Sequence, residues 1–109
     1  MSTFQIIYQI TLPERMIGET FAEFMRDEYF PAVHKGPTRV GQVARLSLLR
    51  VSEEPLSNTF FMHVYYDGLA SGAPVVDDDD VKHKFESLYG AHVQRLGAFT
   101  EVAAWSKDN

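Results

Sequence analysis

The chain has 109 residues, 45% hydrophobic and 23% charged, a formal net charge of −5 and no cysteine; that length suits one domain spanning residues 1–109. The acidic balance and ten scattered Lys and Arg residues argue against nucleic acid, which needs a clustered basic surface, and the absence of cysteine removes disulfides, thiolate metal sites and cysteine nucleophiles. Met1-Ser2-Thr3-Phe4 opens no basic, apolar leader and no stretch approaches the ~20 apolar residues of a membrane span, so a soluble, cytoplasmic protein is expected.

Residues 3–12 have the alternation of a strand, with Phe4, Ile6, Tyr8 and Ile10 on one face and Gln5, Ile7 and Gln9 on the other. Thr11, Pro13 and Glu14 then predict a helix start, because threonine caps and proline suits a first turn. Ile17, Phe21, Phe24 and Met25 recur at helical spacing. Pro31 is expected to end this helix by pushing its neighbour out of the α region. Residues 33–41, with two glycines and a proline, read as a loop.

A second strand is predicted over residues 42–51 and a turn over 52–58. The third strand, 59–67, carries the dense β-forming run Phe-Phe-Met-His-Val-Tyr-Tyr, and residues 68–74 form a small-residue loop. Asp77, Asp78, Asp79 and Asp80 lack the spacing of a calcium loop, so they read as a helix N-terminus whose dipole favours carboxylates. Val81, Phe85, Leu88, His92 and Leu96 continue a helical face that Gly97 stops. A last strand is expected over residues 99–105.

This β-α-β-β-α-β order is the split β-α-β, ferredoxin-like arrangement, an α+β fold with two helices on one face of a four-stranded antiparallel sheet. Phe4-Ile6-Tyr8-Ile10 and Phe60-Met62-Val64-Tyr66 suit the covered face. The other face carries Gln5, Ile7, Gln9, Val43, Arg45, Ser47, Leu49, Val51, Phe61, His63 and Tyr65. It is too apolar for water and too polar for a plain second core. Apolar patches of that kind mark interfaces, so two sheets are expected to meet face to face, as a homodimer around a cavity. The alternative is a monomer presenting the patch to another partner.

The chain as a whole resembles the dimeric α/β-barrel superfamily, which includes cofactor-free antibiotic-biosynthesis monooxygenases, EthD-like proteins, stress-responsive barrel proteins and barrel-type polyketide cyclases. The resemblance lies in Phe24-Met25-Arg26-Asp27-Glu28-Tyr29-Phe30-Pro31-Ala32-Val33-His34, followed by a loop and long strand, and in the ending Phe99-Thr100-Glu101-Val102-Ala103-Ala104-Trp105. It implies a homodimer holding a small organic ligand.

His63 and Tyr65 share the open face and offer an acid–base pair able to move a proton on a phenolic or polyketide substrate; the plainer reading of His63 is a satisfied interface histidine. His34, near a position where several relatives carry a histidine, is the other candidate base; its alternative is a surface loop residue. Arg45 offers a site for an oxyanion or carboxylate, or a pair with Glu101 across the interface. Ser47, Tyr8, Tyr29 and Trp105 are candidate cavity residues, although large aromatics are more often core. His83 reads as solvated and His92 as the end of the second helix. No two histidines have metal-ligand spacing on one element, and neither a phosphate loop nor a nucleophile elbow is present, so neither metal nor cofactor is expected. The leading expectation is a cofactor-independent monooxygenase or cyclase acting on an aromatic or polyketide-like metabolite. The alternatives are a non-catalytic metabolite binder, a structural or stress-response dimer with a filled barrel, and a haem barrel with His34 or His63 as axial ligand.

Overall fold

A computed structural model describes residues 3–14, 17–35, 43–53, 58–67 and 78–107. Its elements are β1 (Thr3–Thr11), α1 (Gly18–Phe24), a π-helical stretch (Met25–Tyr29), α2 (Phe30–Lys35), β2 (Val43–Arg50), β3 (Thr59–Asp67), α3 (Asp78–Tyr89) and β4 (His92–Phe99). The strands form one antiparallel sheet in the order β2-β3-β1-β4. This is the ferredoxin-like arrangement expected from the order of elements.

Strand alternation decides which residues enter the core. Ile6, Tyr8 and Ile10 of β1 are buried together with Phe60, Met62, Val64 and Tyr66 of β3. Phe21, Met25 and Tyr29 of the first helical run, and Val81 and Phe85 of α3, complete the cluster. The Phe21 ring stands edge-on to Phe60 at 5.2 Å, to Phe85 at 5.5 Å and to Tyr89 at 5.3 Å, so one side chain ties sheet and both helices together. Edge-to-face pairs of this kind add ~0.5–1.5 kcal/mol each beyond area burial.

The hairpin between β2 and β3 is closed by Val51 N–H donating to Thr59 O at 3.0 Å. Asn58 Nδ2 donates to Leu12 O at 2.7 Å and Leu12 N–H to Asn58 O at 2.9 Å, which fixes the end of β1 to the start of β3. Arg50 Nη1 meets Glu19 Oε1 at 3.0 Å, joining β2 to the first turn of α1. Residues 54–57 of the predicted turn, 36–42 following α2, the predicted loop 68–74 and Asp77 lie outside the described residues.

Four boundaries differ from the sequence expectation. The first helix begins at Gly18 with Ile17 as its N-cap, rather than at Pro13. It also passes through Pro31, so Val33 and His34 are helical and not in a loop. Proline lacks an N–H and its ring crowds the carbonyl four residues back. Here the turn before it is π-helical, with Phe30 N–H bonded to Met25 O and Phe30 still in the α region. The wider turn accommodates the ring, so the helix continues.

The second helix stops at Tyr89, not at Leu96. Gly90 takes φ 66°, and its N–H donates to Glu86 O at 2.9 Å, a left-handed cap that only glycine adopts without strain. The last strand is therefore β4 at His92–Phe99 rather than 99–105, and His92 lies at its start instead of at a helix end. Asp78, Asp79 and Asp80 do open a helix, α3. Among the described residues, no helix is long and apolar enough to cross a membrane.

Candidate functional site on the open sheet face

Pairing register defines what the helix-free face presents. Gln5 stands beside Tyr65 and Phe99, Ile7 beside His63 and Gly97, and Gln9 beside Phe61 and Gln94. On the other side of β3, Arg45 pairs with Tyr65, Ser47 with His63 and Leu49 with Phe61. A register shift between Val43 and Arg45 sets Val43 against Tyr66, so strict alternation does not run through that end of β2. A second shift between Ile7 and Tyr8 takes the β1 pairing from Gly97 to Arg95 and skips Leu96, next to Gly97 at φ 144°.

Four of these residues form a connected polar cluster. His63 Nδ1 lies 2.6 Å from Gln5 Oε1 across the β1–β3 ladder. The His63 ring stacks near Tyr65, with centroids 6.0 Å apart and planes inclined by 22°. Arg45 holds its guanidinium carbon 5.3 Å from the Tyr65 ring centroid, a cation–π placement that keeps the charge beside the imidazole. Burial, and then the positive charge of Arg45, hold His63 below its ordinary pKa of 6.5.

That geometry can support a proton transfer. With the Gln5 carbonyl oxygen accepting, Nδ1 carries the proton and Nε2 is the basic nitrogen. The imidazole is neutral at neutral pH, hence able to accept a proton. Arg45 supplies a fixed positive charge, the element that an anion formed by such a transfer requires.

The other predicted site residues are distributed differently. Tyr8 is fully buried beneath the helices, at 0% exposure, and belongs to the core rather than to the open face. Tyr29 is also core, packed edge-on to Phe85 at 5.1 Å, and burial raises its hydroxyl pKa well above the usual value. Trp105 lies past the end of β4 at 86% exposure, so it lines no cavity formed by the described residues. Glu101 likewise falls beyond the last strand. His34 sits in the last turn of α2, a different element from the cluster.

Ser47 pairs with His63 in register. It also borders a groove of about 360 Å³ between β2 and the first helical run, lined by Ala22, Met25, Arg26, Phe30, Leu46, Ser47 and Leu48. That groove includes none of His63, Tyr65 and Arg45. Sequence reasoning placed Gln5 on the correct face but missed its role. The contact follows from the register, in which Gln5 and His63 are diagonal neighbours within reach of long side chains.

Compared with known proteins, the chain matches no family model and no curated protein. Among solved structures it is similar to a dimeric ferredoxin-like protein from an uncultured marine organism, with a TM-score of 0.58 and 12% identity, covering 96% of this chain and 100% of that one. The chain has the ferredoxin-like fold. At that level of identity the likeness concerns the fold.

Proposed function

We propose that two copies of this chain pair through their open sheet faces, and that the enclosed space binds a small aromatic or polyketide-like metabolite from which His63 removes a proton. The observation that carries the reading is the His63–Gln5–Tyr65–Arg45 cluster on a face its own helices leave uncovered. The half-buried Ile7 and Phe61 and the exposed Leu49 supply apolar walls around it, the composition typical of small-molecule sites. The solved structure to which the chain is similar is described as dimeric, which supports the paired arrangement.

A phenol, or a carbon between two carbonyls, gives its proton to His63 Nε2. The electron pair remains on the substrate as a phenolate or enolate beside the Arg45 guanidinium. Gln5 positions the imidazole, and the Tyr65 ring stands next to it as a surface for an aromatic substrate. As a cyclase, the enolate carbon attacks a carbonyl of the same molecule, the returned proton turns the new alkoxide into a hydroxyl, and that hydroxyl leaves as water together with the remaining proton of the attacking carbon. As a cofactor-independent monooxygenase, the substrate carbanion gives two electrons to dioxygen and, with the returned proton, forms a hydroperoxide on that carbon; loss of the second proton from the same carbon then breaks the O–O bond, leaving one oxygen as a carbonyl and releasing the other as water.

The test is turnover and binding with a panel of anthrones, phenols and linear polyketide mimics. Wild-type protein is expected to bind and convert at least one class. His63→Ala should lose about 10²–10⁴-fold in turnover while remaining dimeric. Equal turnover in His63→Ala, or no binding by any class, would overturn the proposal.

A further inference from the structure

β4 ends at Phe99, and a further eight described residues follow it. Residues 100–107 carry no strand or helix and are all exposed. Two large apolar side chains stand in this segment almost wholly in water, Val102 at 94% and Trp105 at 86% exposure. Trp105 is the chain's single tryptophan. An isolated exposed apolar residue is ordinary, but these follow Leu96 and Phe99, themselves 40% and 42% exposed, and so prolong one apolar track off the edge of the sheet.

The track starts at the site. Phe99, the last residue of β4, pairs with Gln5, the partner of His63. From there, the six residues 100–105 reach roughly 20 Å if extended. The outer strands of a four-stranded sheet lie only roughly 14 Å apart, so the segment is long enough to cross one. Its charge also has a counterpart: Glu101 lies on the segment and Arg45 on the open face, both exposed.

We propose that residues 100–107 form an arm exchanged between subunits, laid over the other copy's open face so that Trp105 and Val102 wall its His63–Tyr65 site while Glu101 approaches Arg45. The site is then incomplete in one chain and closed by the second. This inference rests on the homodimer proposed above, and the experiment separates failure of the arm from failure of the dimer.

Intrinsic fluorescence with acrylamide quenching reads Trp105 alone, and sedimentation of the same samples reads the assembly. In the dimer the emission should be blue-shifted and shielded from acrylamide. Where dilution yields monomer, it should become red-shifted and quenchable. Trp105→Ala should weaken dimerisation at least tenfold without altering the circular dichroism of the fold. Because the chain lacks cysteine, oxidising a mixture of the Glu101→Cys and Arg45→Cys proteins should yield a covalent heterodimer. A stable dimer whose tryptophan stays exposed, or one giving no heterodimer crosslink, overturns the arm and leaves the dimer standing. A monomer at every concentration overturns both.

Discussion

Protonating His63 in the folded protein means charging an imidazole that is partly desolvated and faces Arg45. Both effects lower its pKa from 6.5, so between the folded value and 6.5 the unfolded chain binds more protons than the folded one. Stability should therefore be at its full value above pH 6.5 and decline as pH falls through the folded pKa. A His63→Gln variant should lose that component of the pH dependence in denaturant titrations, and Arg45→Ala should move the imidazole titration followed by NMR back towards 6.5. Gln5→Leu removes the acceptor at 2.6 Å and should cost about 1 kcal/mol, with a change in tautomer ratio visible in imidazole nitrogen shifts. The period-two pattern of β3 placed His63 and Tyr65 together because it needs only local spacing. The Gln5 contact was not legible in the same way, since it joins residues 58 apart through a register no local pattern specifies. Tyr8 illustrates the converse: its alternation with Ile6 and Ile10 already assigned it to the core, and that pattern outweighs its appeal as a cavity aromatic.

At the level of elements, β1 and β3 were legible because their alternating residues are the buried set itself, whereas the region after Leu88 was not. Leu88, His92 and Leu96 fall at helical spacing, yet Leu88 is 57% and Leu96 40% exposed, so the spacing marks no buried stripe. The deciding feature is Gly90 at φ 66°, which ends α3 and turns the chain so that Val93 enters the core. Gly90→Ala should destabilise the protein by about 1 kcal/mol or more, because alanine is strained there; the thermal midpoint measures this. Pro31 misled for a related reason, as its local preference is overridden by the π-helical turn preceding it. Phe21 touches both helices and the sheet, and Phe21→Ala should cost about 3–5 kcal/mol in denaturant unfolding.

Among the described residues, the helices cover one face of the sheet. The other face joins an imidazole and a guanidinium to apolar residues, among them Leu49 at 53% exposure. The proposed pairing with a second copy of the same face would cover it, and Leu49→Lys should weaken that pairing at least tenfold by placing a charge in the interface core. The most direct measurement is native mass spectrometry of the purified protein across a concentration series. A mass of twice 12.4 kDa, shifting to the single chain in Leu49→Lys, is the outcome this account predicts. A 12.4 kDa monomer at every concentration would contradict it.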